Sequence, residues 1–129
     1  MNTSRTAIVI DDSRATRSLL RRTLNTLDYE VHEAGHGQEG LDQLEKVGPV
    51  NLALVDWNMP VMDGLAFVKA VRADPSYERM VIVMVTSESD PTAIARALMA
   101  GADEYAIKPI TPEMLAAKLE MASASSLDG

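Results

Sequence analysis

The sequence predicts an α/β domain built on a parallel sheet, and three observations carry that prediction. Short apolar runs recur along the chain, stretches with helical periodicity fall between them, and the runs end abruptly in polar residues. Continuous apolar runs suit strands covered on both faces, and strands alternating with helices assemble into a parallel sheet. The chain has 129 residues, 47% of them apolar, and shows no compositional break. This fits one domain over residues 1–129, with an ordered core from about 6 to 122 and a small polar tail at Ser123–Gly129.

The elements follow in order. Ala7–Ile10 is a β-branched run that stops at Asp11-Asp12, a first strand. Ser13 is a good N-cap for a helix on which Leu19, Leu20, Leu24 and Leu27 recur at helical spacing while Arg14, Arg17, Arg21 and Arg22 sit elsewhere. Tyr29–Glu33 alternates, which suits an exposed edge strand, and Gly35 and Gly37 make the turn into a second helix carrying Leu41, Leu44 and Val47. Gly48-Pro49 ends that helix. Leu52–Val55 is a buried run ending in Asp56, which periodicity alone does not separate from a buried helix. A turn built around Pro60 and Gly64 leads to a stripe of Leu65, Val68 and Val71 that stops near Asp74-Pro75. Val81–Val85 is the most apolar run, placed in mid-sheet with Thr86 at its end. Asp90 caps a fourth helix with Pro91 at its first position, Ile94 and Leu98 inward and Gly101 at its end. Glu104–Ile107 forms a fifth strand ending at Lys108-Pro109, and Thr111-Pro112 opens a last helix with Leu115 and Leu119.

Composition excludes several functions. A net charge of −7 argues against a nucleic-acid surface, which needs a basic stripe. The absence of cysteine removes disulfides and thiolate metal sites. No apolar run approaches the roughly 18 residues of a membrane span, and Met1–Thr6 lacks the apolar core of a signal peptide, so a soluble cytoplasmic protein is expected.

In a parallel sheet the carboxyl ends of the strands share one edge, where ligands of open α/β sheets bind. That edge gathers Asp11, Asp12, Asp56, Thr86 and Lys108. Singly, each has a plainer reading: a strand-end Asp is usually a turn or cap residue, Thr86 could simply close a strand, and Lys108 could be a loop lysine. Together they are a charge problem. Two carboxylates about 4 Å apart repel by roughly 4 kcal/mol at an effective dielectric near 20, and Lys108 offsets one charge. Oxygen ligands without His or Cys select Mg²⁺ or a similar hard cation, which also favours phosphate oxygens. Asp56 is then an aspartyl nucleophile that accepts a phosphoryl group, with Mg²⁺ and Lys108 neutralising its oxygens and Thr86 bonding one of them.

Asp11-Asp12, Asp56-Trp57-Asn58-Met59-Pro60-Val61-Met62-Asp63-Gly64, Thr86 and Lys108-Pro109, in this order, resemble the receiver domains of two-component response regulators, from about Thr6 to Met121. The resemblance implies a flavodoxin-like (βα)5 three-layer sandwich with sheet order 2-1-3-4-5; that order comes from the resemblance and not from periodicity. It implies Asp56 as phosphoacceptor, Mg²⁺ held by Asp12, Asp56 and the Asn58 backbone carbonyl, with Asp11 assisting through water. Lys108 contacts the phosphoryl group across a cis bond to Pro109. Thr86 and Tyr105 form a switch in which the hydroxyl moves toward the phosphate and the ring fills the vacated space. From its residues alone, Tyr105 reads as an edge-strand residue packing on a neighbouring helix. Asn58 and Glu88 tune hydrolysis of the acyl phosphate, here toward a short lifetime. Two departures stand out: Ser87 where alanine is common, and Asp90-Pro91 in place of a lysine-rich helix start, which puts flagellar-motor binding in doubt.

The expected protein is a stand-alone phosphorylation-operated switch and not a turnover enzyme. A histidine kinase supplies the phosphoryl group, and a downstream protein target or phosphotransfer protein reads the face of the fourth helix, fifth strand and fifth helix. Chemotaxis signalling, a phosphate sink, a relay and a receiver cut from a longer regulator remain open among outputs. The rival is a Mg²⁺-dependent aspartyl phosphatase or phosphotransferase, which often needs a second Asp where Asn58 stands and a capping insertion. A flavodoxin-like cofactor carrier suits the fold but not the clustered carboxylates. His32 and His36 fall away from the site, and the methionines serve as core filler and adaptable surface.

Overall fold

The computed structural model describes the backbone of residues 5–128 and the side chains of residues 5–122. Five strands, β1 (Arg5–Ile10), β2 (Tyr29–Ala34), β3 (Leu52–Val55), β4 (Val81–Thr86) and β5 (Glu104–Ile107), alternate with five helices, α1 (Arg14–Thr26), α2 (Gly37–Val47), α3 (Gly64–Arg72), α4 (Pro91–Ala100) and α5 (Pro112–Asp128). All strand pairs are parallel and the order is β2-β1-β3-β4-β5. The flavodoxin-like (βα)5 sandwich and its sheet order are as expected.

Side chains alternate between two cores, which is why the strands read as continuous apolar runs. Ile8, Ile10, Ala53, Val55, Ile82 and Met84 pack with Leu44, Phe67, Val68, Val71 and Ala97 under α2, α3 and α4. Ala7, Val9, Leu52, Leu54, Val83 and Val85 pack with Leu20, Leu24, Leu115, Leu119 and Ala122 under α1 and α5. The caps read from the sequence at Ser13 and Asp90 are present, Ser13 Oγ accepting from the Thr16 amide and Asp90 from Thr92, and the structure adds a third, Asp63, which accepts from Ala66.

Four details differ from expectation. Gly37 is the first residue of α2 and not a turn residue; its amide donates to the Met62 carbonyl, and Met62 leaves no room for a Cβ there. The cap of α2 is His36, whose Nδ1 accepts from the Glu39 amide. On α4 the inward position belongs to Ala97, while Leu98 is 42% exposed and Ile94 is partly buried against the core. The buried stripe therefore steps by three residues, and alanine lets the helix lie close to its neighbours. Finally, α5 runs to Asp128 where a polar tail was expected. Alanine and leucine sustain a helix there, serine is tolerated, and no Gly or Pro intervenes before Gly129. Gly129 and residues 1–4 lie outside the described residues.

Candidate functional site at the carboxyl edge of the sheet

The sheet ladder continues past the strands into the site. The Asp11 amide donates to Ala34, the Asp56 amide to Ile10 and the Lys108 amide to Thr86, so these residues are fixed as part of the sheet edge. Beyond Asp56 the chain turns back sharply, and the Gly64 amide donates to the Trp57 carbonyl at 2.8 Å. A Cβ on Gly64 would collide with the Asp56 carbonyl, so that tight return requires glycine.

One carboxylate oxygen from each of Asp11, Asp12 and Asp56 falls within a cluster 4.8 Å across. Asp11 and Asp56 are buried and Asp12 is exposed. Lys108 Nζ lies 2.8 Å from Asp11 Oδ2 and 3.4 Å from Asp56 Oδ2. The other oxygens are committed to backbone donors: Asp11 Oδ1 accepts from the Ser13 amide and Asp56 Oδ1 from the Trp57 amide. The peptide between Lys108 and Pro109 is cis, as expected.

Burial raises the Asp11 carboxyl above its ordinary value, outweighing the hydrogen bonds from Lys108 and Ser13. Burial works against the Lys108 ammonium, but its bond to Asp11 and the charges of Asp11 and Asp56 leave its pKa raised. The ammonium is therefore held charged by two carboxylates, while the third, Asp12, has no hydrogen-bond partner among the described residues. Three carboxylates against one ammonium leave an excess of negative charge beside an exposed oxygen donor. Hard, closely spaced oxygens with residual negative charge fit Mg²⁺. Receiver domains bind Mg²⁺ at an acidic cluster, and here that cluster is Asp11, Asp12 and Asp56.

Thr86 is fully buried at the end of β4. Its hydroxyl accepts from the Glu88 amide at 3.3 Å, and the Tyr105 hydroxyl donates to the Glu88 carbonyl at 2.7 Å. Both side chains are thus tied to the backbone of one residue. Tyr105 is already an inward residue, 6% exposed in the core beneath α4, as its β-strand position made plausible. Burial, with the charges of Glu88 and Asp56, pushes its phenol up to about 12. The Glu88 carboxylate turns to the Asp90 amide at the head of α4, and Asn58 is exposed in the loop after Asp56. Sequence reading had missed Arg17, whose guanidinium donates to the Asp11 carbonyl; on the helix it was one of several outward arginines.

The response regulator receiver domain family matches the chain over residues 7–120. A chemotaxis protein CheY homolog of Campylobacter jejuni is 46% identical over 114 residues, which are 88% of this chain and 88% of that protein. The chemotaxis protein CheY1 of Helicobacter pylori is 42% identical over 115 residues, covering 88% and 93% respectively. Among solved structures, the chemotaxis response regulator CheY4 of Vibrio cholerae superposes with a TM-score of 0.86 at 35% identity, covering 93% of this chain and 99% of that one. Receiver domains are signalling switches that work with histidine kinases and downstream targets. With the family's sequence pattern running through nearly every element that builds this acidic edge, the chain belongs to the response regulator receiver domains of two-component signalling.

Proposed function

We infer that Asp56 accepts a phosphoryl group from a histidine kinase and that the acyl phosphate switches the face formed by α4, β5 and α5. The observation that carries this reading is the Lys108 ammonium shared by Asp11 and Asp56, with Asp12 exposed beside them. Because Asp56 Oδ1 is held by the Trp57 amide, Oδ2 is the attacking atom. Its lone pair forms the new P–O bond as the P–N bond of a phosphohistidine breaks, and the departing imidazole keeps the P–N electron pair. Lys108, at 3.4 Å from that oxygen, follows the transferred charge. Asp12, Asp56 and the Asn58 carbonyl would hold Mg²⁺, with Asp11 acting through water. When bound, the ion supplies charge neutralisation for phosphoryl oxygens, in transfer and in hydrolysis.

The switch works through Glu88. A Thr86 hydroxyl drawn to the phosphoryl group releases the Glu88 amide, while Tyr105 keeps its hold on the Glu88 carbonyl. Since the ring is already inward, phosphorylation stabilises an arrangement half-formed at rest and does not have to create it. Exposed apolar residues on the three elements, Leu98 on α4, Ile107 on β5 and Met114 and Met121 on α5, suit a protein partner. That partner is a cytoplasmic target or a phosphotransfer protein. Hydrolysis tuned by Asn58 and Glu88 keeps the signal short. Among the described residues no helix is long and apolar enough to cross a membrane.

The test is incubation with acetyl phosphate, with and without Mg²⁺, followed by intact-mass analysis. One added phosphoryl group that needs Mg²⁺ and disappears in Asp56→Asn is expected. Uptake that survives in that variant would remove Asp56 from the mechanism, and multiple turnover of a small phosphomonoester would favour an enzyme instead. Slow decay of the phosphoprotein, unchanged by replacing Asn58, would overturn the tuning role.

A further inference from the structure

The two buried carboxylates of the site are anchored by hydrogen bonds, whereas the Asp12 carboxylate has no such partner among the described residues. Its direction is set by its own backbone, and the peptide that carries it begins with the Asp11 carbonyl. That carbonyl accepts from Arg17 Nη1 at 2.6 Å. Arg17 is itself oriented from the edge of the sheet: its Nε donates to Glu33 Oε1 at 3.1 Å, and the second oxygen of Glu33 is occupied by Arg21. Arg21 and Arg17 hold the Glu33 carboxyl below its ordinary value despite the opposing effect of burial. The line from β2 through Arg17 to the β1–α1 turn is therefore a charged, two-ended clamp. A planar guanidinium can serve both ends at once with separate N–H groups, whereas an ammonium is a single point.

We propose that Arg17, oriented by Glu33, is a positioning residue for the cation site that acts on Asp12 by fixing the Asp11–Asp12 peptide. It rests on the reading of Asp11, Asp12 and Asp56 as the Mg²⁺ site. Partners that orient metal ligands from outside change affinity by roughly 10- to 100-fold when removed. The sign of the effect separates this role from simple electrostatics. Arg17 is a cation close to the carboxylates, so as a mere charge it weakens Mg²⁺ binding, and its removal would tighten it. As a positioning residue its removal weakens binding.

The experiment is a Mg²⁺ titration of the full chain followed by the fluorescence of Trp57, the single tryptophan, whose amide bonds Asp56. In Arg17→Gln the dissociation constant should rise about tenfold. Glu33→Gln should move it in the same direction, and Arg17→Lys, which keeps the charge but loses the fork, should not restore it. Circular dichroism establishes that each variant is folded; should Arg17→Gln fail to fold, Arg17→Lys carries the test, because it keeps the charge and a weakened constant there is not an electrostatic effect. An unchanged or tighter constant in Arg17→Gln overturns the proposal, as does full affinity in Arg17→Lys. A wild-type protein that shows no Mg²⁺ binding overturns the reading of the site itself, and this inference with it.

Discussion

Val61 sits one residue beyond Pro60 in the loop that leaves Asp56, with φ at 71° and 79% of its surface exposed. A β-branched side chain in the left-handed region costs about 1–2 kcal/mol, and burial returns little of that here. Asparagine tolerates this conformation far better. Val61→Asn should stabilise the fold by about 1 kcal/mol, seen as a higher urea midpoint with unchanged slope; a midpoint that stays put would mean the backbone is not strained. Tyr105 allows a second test at the same scale. Its phenol is raised from about 10 in the unfolded chain to about 12 in the fold. The stability it contributes is thus complete below the unfolded value and is lost as pH rises through the folded one. The stability difference between wild type and Tyr105→Phe should hold constant at neutral pH and shrink across the alkaline range. A difference that is flat with pH would place the phenol elsewhere.

Between elements, a polar link outside the site is made by Arg72 at the end of α3. It donates to the Gly101 carbonyl at the end of α4 (2.9 Å), to the Tyr77 carbonyl (3.0 Å) and to Asp103 just before β5 (2.9 Å). The same Asp103 oxygen accepts from the Ile82 amide of β4. Removing the guanidinium leaves a half-buried carboxylate with one partner and two carbonyls to find water. Arg72→Ala should cost about 2–3 kcal/mol, by the usual magnitude for hydrogen bonds to charged groups, and Arg72→Lys should recover little because one ammonium cannot meet three divergent acceptors. Chemical denaturation of both variants checks this, and a loss in Arg72→Ala within error of zero would reduce the link to surface decoration. The arrangement pins the lower ends of α3 and α4 together. The upper end of α4, next to Thr86 and Glu88, is left as the end that a switch can move.

For the whole molecule, stability rests on two cores separated by the sheet, and Phe67 is the largest fully buried side chain. Phe67→Ala should destabilise by about 3–5 kcal/mol, a large share of the roughly 5–15 kcal/mol available to a domain. A thermal or urea transition that barely moves would contradict the close packing of α3 on the sheet. At this scale the clustering of Asp11, Asp56 and Lys108 also becomes intelligible. Because every strand is parallel, their carboxyl ends share one edge of the sheet, so residues 97 positions apart meet at 2.8 Å.

Much of this was legible before any coordinates. Strand runs, the Ser13 and Asp90 caps and the polar residues closing each strand depend on local chemistry, which a sequence displays directly. The sheet order did not come from periodicity, because nothing local states which strand lies beside which; family resemblance supplied it. Periodicity reads Leu98 as inward and passes over Ala97, since a three- or four-residue step from Ile94 satisfies the same helix until its neighbours are known. The same holds for Arg17, Glu33 and Arg72, whose partners lie on other elements and whose outward arginine neighbours look identical in one dimension. Local preference thus determined the elements and the residue types at their ends. Tertiary structure alone decided which oxygen meets which nitrogen, because hydrogen-bond geometry is set to tenths of an ångström by packing between segments that are distant along the chain.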